Sequence, residues 1–205
     1  MDKFIKIYKK AYSKEECLSI IDFFEKNIKY SIDHRKKGSK TSFRGYKNIP
    51  GSLSDIEGTP HEFIAYHLKD CHSKYANDHQ FLTKLDSWII GNEFNLQKYE
   101  IGNCYYREHC EHGKNWYDCP RVLAWMVYLN DCDGGTCWPQ QGFTSTPEEG
   151  DLYIWPASWT HSHYGIPATT EKYILTGWSR FNKPDSILPE TKPRKYNNME
   201  WSREV

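Results

Sequence analysis

No apolar run in the 205-residue chain approaches the roughly 20 residues a membrane-spanning helix needs. The opening residues, MDKFIKIYKK, also lack the apolar stretch and small-residue cleavage site of an export signal. A cytoplasmic protein is expected, in a host cytoplasm if a virus encodes it. Charge of one sign is missing too, since 27 basic residues balance 27 acidic ones. No bulk attraction to nucleic acid or an anionic membrane is implied, and the local run Arg35-Lys36-Lys37 reads as a solvated loop. The seven cysteines are Cys17, Cys71, Cys104, Cys110, Cys119, Cys132 and Cys137, an odd number with no close CxxC pair. They read as reduced thiols rather than as a disulfide framework. Internal repeats and low-complexity tracts are absent, and oligomeric state has no signature.

What the chain does have is aromatic mass: 16% of residues, with eight Trp and fifteen Tyr. The length suits one domain with a substantial core. The first third, residues 1–93, reads as a helical support region. Ser13 to Glu16 forms a capping box, followed by Ile20, Ile21, Phe24 and Ile28 at helical spacing. Thr59-Pro60-His61-Glu62 reads as a second helix start, and the polar stretch from Arg35 to Gly58 as a loop. From about Phe94 short β-rich runs alternate with turn signals, as in RVLAWMVYLND, DLYIWP and KYILTGWSRF. Many short strands at close spacing predict a β-sandwich or barrel over 94–181. Residues 182–205, with three prolines, read as a C-terminal arm. The fold class expected is α+β, mainly β.

Three residues carry the chemistry. In a strand, i and i+2 share a side, so His109 and Glu111 project together. Alone, His-x-Glu is a pair that chance produces often. A third donor, His163, lies downstream in WTHSHYGIPATTEKYILTGW. Two histidines and a carboxylate can hold a non-heme Fe(II) by one face and leave positions open for a co-substrate and O₂. His161 shares a strand face with His163 and competes with it. Pro167, four residues on, and Lys172 favour His163, which leaves His161 to hold a ligand or substrate by a hydrogen bond. His112 points away from Glu111's side and reads as structural. His34, His61, His67, His72 and His79 read as surface or packing residues.

Around these residues stand Tyr99 and Gly102, then Tyr128-Leu129-Asn130, Gly134-Gly135-Thr136, Gly150, and finally His163, Pro167 and Lys172. In this order they resemble the 2-oxoglutarate- and Fe(II)-dependent dioxygenases, specifically the prolyl 4-hydroxylase-like branch found in small phage and cyanobacterial enzymes. The resemblance covers roughly Phe94 to Phe181. It implies a double-stranded β-helix core, of the jelly-roll or cupin kind, with N-terminal supporting helices. It implies that His109, Glu111 and His163 bind Fe(II) and act in catalysis. Lys172 would pair with the distal carboxylate of 2-oxoglutarate, with Thr136 and Tyr99 as hydrogen-bond partners and Arg180 as a fallback cation. O₂ is the co-substrate and ascorbate an optional reductant. Two residues depart from the pattern: Glu111 stands where Asp is commoner, and Trp138 where Phe is usual, which is expected to reshape the substrate mouth.

The branch suggests hydroxylation of a peptidyl proline or of an amino-acid-like small molecule. The iron and 2-oxoglutarate motifs do not choose between them, and the loops at 35–58, 113–120 and 139–149 carry no signature. Trp138, Trp155, Trp159 and Trp178 are candidates to line the cleft, with core packing the plainer reading for Trp155 and Trp178. Trp116 and Tyr117 are candidates for a lid. A zinc hydrolase is the competing reading, but neither H-E-x-x-H nor H-x-x-E-H occurs. A non-catalytic cupin-type metal protein is the other. Halogenation is disfavoured, because it needs a small residue where Glu111 stands.

Overall fold

The computed structural model describes residues 4–35, 45–113 and 120–182. Trp116, Tyr117, Cys119 and all but the first residue of the C-terminal arm lie outside them. In chain order the described elements are β1 (Lys6–Tyr8), α1 (Lys14–Lys26), β2 (Ile32–Asp33), β3 (Lys47–Ser52), α2 (Phe63–Asp78), β4 (Trp88–Tyr99), β5 (Arg121–Tyr128), β6 (Thr136–Trp138), β7 (Phe143–Thr144), β8 (Leu152–Pro156), β9 (Tyr164–Gly165) and β10 (Lys172–Phe181). A seven-stranded antiparallel sheet has the order β1-β8-β5-β10-β4-β3-β2, and a small sheet the order β7-β6-β9.

Side-chain alternation along the central strands builds two separate cores. On one face, Leu123, Trp125 and Val127 of β5, Leu152 and Ile154 of β8, Tyr173 and Leu175 of β10, and Phe94 and Leu96 of β4 pack on Ile20, Phe24, Ile64 and Leu68 of the helices. On the other face, Ala124, Met126, Tyr128, Tyr153, Trp155 and Ile174 turn towards Trp138 and Phe143 of the small sheet. The two helices seal one side of the large sheet, and the small sheet closes over the other. This is the mainly β, double-stranded β-helix arrangement with supporting helices.

Helix α1 starts as read: Glu16 N–H donates to Ser13 Oγ at 3.2 Å, and Ser13 N–H donates to Glu16 Oε2 at 2.8 Å. Helix α2 differs. Thr59 Oγ accepts from His61 N–H, but Glu62 takes Gly58 N–H instead of closing a box on Thr59. One tight turn intervenes, and the α-helix begins at Phe63.

The helical reading of the first third needs correction. It also supplies β1, β2 and β3 to the large sheet, and β4 begins at Trp88 rather than near Phe94. The expected loop 35–58 contains β3, whose Lys-Asn-Ile-Pro-Gly-Ser sequence hides it because Pro and Gly are poor strand formers. Pro50 is tolerated because β2 pairs only with Lys47 and Asn48, so the far half of β3 is an edge. No helix among the described residues is long and apolar enough to cross a membrane.

Candidate metal centre and co-substrate cavity

The small sheet is extended by an irregular segment that carries the first two candidate ligands. His109 and His163 exchange both backbone hydrogen bonds, at 3.0 and 2.8 Å, and Gly165 N–H donates to Tyr105 O at 2.8 Å. This reciprocal pair sets the two imidazoles side by side, with ring centroids 4.4 Å apart. Glu111 is then fixed by its own N–H on Ala157 O at 3.1 Å. One donor atom from each of His109, Glu111 and His163 lies within 4.8 Å of the others. Glu111 Oε1 sits 3.7 Å from His109 Nε2 and 3.3 Å from His163 Nε2.

The orientation of each group is set from behind. His109 Nδ1 bonds Arg107 O and His163 Nδ1 bonds His161 O, both at 3.0 Å. A carbonyl accepts only, so each Nδ1 carries the proton and each Nε2 lone pair faces the centre. Glu111 Oε2 accepts from Trp178 Nε1 at 2.6 Å and from Arg121 at 3.3 Å, and the guanidinium lies 3.7 Å over the Trp178 ring. The far oxygen is thus tied back while Oε1 stays forward, which accommodates the extra methylene of Glu. A bulge in β10 around Trp178 turns the indole inward. Gly91 permits it, since a Cβ there would stand 2.7 Å from Trp178 O.

Electrostatics favour ligation. Burial pushes His109 down to about 4, outweighing the nearby Glu111 charge, so its imidazole is neutral at ordinary pH. Burial alone would raise Glu111. The adjoining His163 and His109 and the Arg121 guanidinium outweigh it and hold the carboxyl well below the usual carboxylate range. A neutral His109 imidazole and an ionised Glu111 carboxylate, with His163 beside them, suit the donor set that Fe(II) takes.

Beside this cluster lies a cavity of about 330 Å³, lined among others by Tyr99, Tyr105, Tyr128, Thr136, Trp155, Lys172, Ile174 and Trp178. Lys172 is 3% exposed, and its Nζ donates to Gly134 O at 2.8 Å and stands 4.8 Å over the Tyr99 ring. No ion pair joins Lys172 to a carboxylate among the described residues. Burial pushes its pKa down, as expected for an ammonium held without a counter-ion. Gly134 makes the arrangement possible: a Cβ there would stand 2.5 Å from Ala168 Cβ and 2.7 Å from Ile166 O. Thr136 Oγ1 pairs with the Tyr128 hydroxyl at 3.0 Å, and Tyr99 donates to Gln97 Oε1 at 2.8 Å.

Lys172, Thr136 and Tyr99 therefore share one cavity with His109, Glu111 and His163. His161 is outside the donor cluster, with Nδ1 on Thr160 Oγ1 at 2.9 Å. It is its carbonyl, not its ring, that orients His163. His112 turns away and bonds Arg121 O at 2.8 Å. Arg180 lines a separate small cleft with Gly91 and Glu93. Trp155 and Trp178 line the cavity. Trp138 does not reshape its mouth: it is fully buried, edge-on to Trp155 and 5.8 Å behind His163. Trp159 is 70% exposed and outside the cleft.

Sequence reasoning missed Arg121, Tyr105 and the two carboxamides, Asn95 and Gln97, that precede Tyr99 in an inward row. Tyr105 stacks on His109 at 4.0 Å. The signal for the row was present: polar residues at i, i+2 and i+4 in an otherwise strand-forming run.

Residues 94–180 match the 2OG-Fe(II) oxygenase superfamily. Similar solved structures include the viral collagen prolyl hydroxylase of Paramecium bursaria Chlorella virus-1 in complex with 2-oxoglutarate. It is 18% identical, with a TM-score of 0.64 over 88% of this chain and 97% of that one. A Pseudomonas putida prolyl 4-hydroxylase gives 16% identity and a TM-score of 0.61 over 88% and 94%. A Trichoplax adhaerens prolyl hydroxylase, solved with a hypoxia-inducible-factor peptide fragment, gives 14% and 0.61 over 86% and 83%. No curated protein sequence matches the chain.

Proposed function

We propose that the chain, whose residues 94–180 match the 2OG-Fe(II) oxygenase superfamily, hydroxylates a peptidyl proline or a related amino-acid-like substrate. The chain is an Fe(II)- and 2-oxoglutarate-dependent dioxygenase, so its chemistry consumes 2-oxoglutarate and O₂. In this reading His109, Glu111 and His163 hold the iron, and Lys172 receives the distal carboxylate of 2-oxoglutarate. The observation that carries the reading is the buried Lys172 ammonium, which has no carboxylate partner among the described residues and lies in the cavity that holds the three donors. A dicarboxylate co-substrate would bring the negative charge that the buried Lys172 ammonium lacks.

The resident metal, once bound with 2-oxoglutarate and O₂, supplies an oxidant strong enough for an unactivated C–H bond while releasing succinate and CO₂. The protein's own residues do the rest. Trp178 and Arg121 keep Glu111 anchored so that one oxygen points forward. The Arg107 and His161 carbonyls hold the imidazoles in the ligating tautomer. Met126, Trp155, Ile174 and Trp178 form an apolar wall that excludes water beside the reacting carbon. The proline-specific part is supported by the prolyl hydroxylases among the similar structures. The domain division into 1–93, 94–181 and 182–205 is part of the same proposal, with the first segment also contributing sheet strands.

The test needs no knowledge of the substrate. Apoprotein is titrated anaerobically with Fe(II) and then 2-oxoglutarate while visible absorption is followed. A weak metal-to-ligand charge-transfer band, lost in Glu111→Ala and Lys172→Ala, is expected. Tight zinc binding with no band would favour a hydrolytic or structural metal instead.

A further inference from the structure

A second cavity, of about 590 Å³, takes no part in the chemistry proposed above. It is an open cleft with apolar walls. Phe4 precedes β1, Phe81 and Leu85 follow helix α2, Val122 belongs to β5 and Phe181 ends β10. Four of these side chains remain open to water: Phe81 is 72% exposed, Phe4 50%, Phe181 38% and Leu85 37%. Apolar surface left in water forfeits roughly 25 cal/mol per Å², and a contiguous patch of it marks a surface that something covers.

The chain itself arrives at the rim of this cleft. Phe181 N–H donates to Pro120 O at 2.9 Å, and Asn182 N–H donates to Ser87 O at 2.7 Å. Asn182 Nδ2 adds a bond to Ser87 Oγ at 3.2 Å. Ser87 stands two residues from Leu85, so the last described residue is moored beside the cleft, and residues 183–205 follow it. They begin Lys183-Pro184-Asp185-Ser186-Ile187-Leu188-Pro189. Ile187 and Leu188 are the first large aliphatic pair past the strand. Leu188 is six residues beyond Asn182, a reach of roughly 20 Å in extended chain. Pro184 and Pro189 bias Lys183 and Leu188 towards extended backbone, so the segment loses less freedom on docking than an unrestrained one. A tether this short holds the pair at an effective concentration of roughly millimolar. A second copy of the chain at micromolar concentration competes poorly with it.

We infer that the apolar cleft is the docking site of the chain's own C-terminal arm, with Ile187 and Leu188 seated against Phe4, Phe81, Leu85 and Phe181. The polar end of the cleft gives this docking a consequence. His112 and Arg121 both line it. His112 Nε2 bonds Arg121 O at 2.8 Å, and Arg121 Nη1 donates to Glu111 O at 3.1 Å and to Glu111 Oε2 at 3.3 Å. The seated arm shields from water the contacts that hold Glu111 from behind. Docking needs neither metal nor co-substrate, so it stands or falls apart from the oxygenase reading.

The experiment uses the full 205-residue chain and thermolysin, which cuts ahead of Ile and Leu. Cleavage between Ser186 and Ile187 is expected to run roughly tenfold faster in Phe81→Asp than in the native chain, because a seated bond must first leave the cleft. The bond being cut is the same in both. A second variant changes only the arm: Ile187→Ser combined with Leu188→Ser should raise the fluorescence of the apolar dye anilinonaphthalene sulfonate several-fold, as the cleft is uncovered. A Phe81→Asp chain that misfolded would be cut within α1 and β5 as well, and the dye comparison, which leaves the described fold untouched, then decides. Equal cleavage of the native and folded Phe81→Asp chains would overturn the inference. So would strong dye binding by the native chain that the arm variant leaves unchanged, since the cleft would then be open to a separate ligand. A native dimer that Phe81→Asp dissociates, with arm cleavage unaltered, would assign the cleft to a second copy and overturn it too.

Discussion

On one side of β5, Leu123, Trp125 and Val127 are buried among helix side chains; one residue along, Ala124 joins the second core and Met126 and Tyr128 line the metal cavity. The same contrast runs through β8, β10 and β4. The helix side is apolar and closed, and it supplies the burial that stabilises the fold, at roughly 25 cal/mol per Å² of apolar surface. The cavity side gives up part of that gain by admitting Lys172, Glu111, Gln97 and Asn95. A single-residue pleat thus separates stability from chemistry within each strand, and changes to one face should leave the other largely intact.

Four changes would break or sharpen that contrast. The largest effect is expected on the cavity face: His109→Ala, Glu111→Ala or His163→Ala should abolish 2-oxoglutarate turnover, while His112→Ala retains it. Steady-state succinate assays check this, and full activity in any of the three would refute the ligand set. Next, Trp125→Ala on the helix face should cost about 3–5 kcal/mol of stability, read by denaturant titration, while the folded fraction keeps its charge-transfer band. The third concerns His72, a buried histidine of α2 whose Nδ1 bonds Leu68 O at 2.7 Å. Burial pushes its pKa down to about 4 from the ordinary 6.5. Because the folded value lies below the unfolded one, its stabilising share is present above pH 6.5 and is lost as pH falls towards 4. That share is roughly 3 kcal/mol at most, and acid unfolding of His72→Leu should lack it. The smallest is Lys172→Ala, expected to weaken 2-oxoglutarate binding by about 1.5–3 kcal/mol, the usual range for a hydrogen bond to a charged group, with iron binding kept. Since burial lowers this lysine's pKa, 2-oxoglutarate affinity in the native enzyme should fall as pH rises into the alkaline range. An isothermal titration series in pH would show it, and equal loss of iron binding in the variant would indicate a folding defect instead.

Legibility in the sequence followed the range of the interaction. His109 and Glu111 were readable as a close pair because their spacing is local, although they sit on an irregular segment with a single bridge rather than on a strand, and Lys172 because a basic residue after the distal histidine has a chemical purpose. Ser13 and Glu16 were readable for the same reason, since a cap lies within one turn. Arg121 was not. Its role depends on stacking over Trp178 and reaching Glu111, contacts made only once β5 and β10 pair. β3 was hidden because tertiary pairing with β4 overrides the poor strand propensity of Pro50 and Gly51. Trp138 illustrates the converse: its aromatic bulk was visible, but its burial behind His163 depends on how the small sheet closes.

The reciprocal backbone pair between His109 and His163 has a topological consequence. These two residues bracket β5, β6, β7 and β8, and the pair joins the ends of that segment with only two hydrogen bonds. A divalent ion spanning the same two imidazoles acts as a reversible cross-link, removing chain freedom from the unfolded ensemble much as a covalent bridge would. Loading the metal should therefore slow proteolysis inside the bracketed segment more than in α1 or α2.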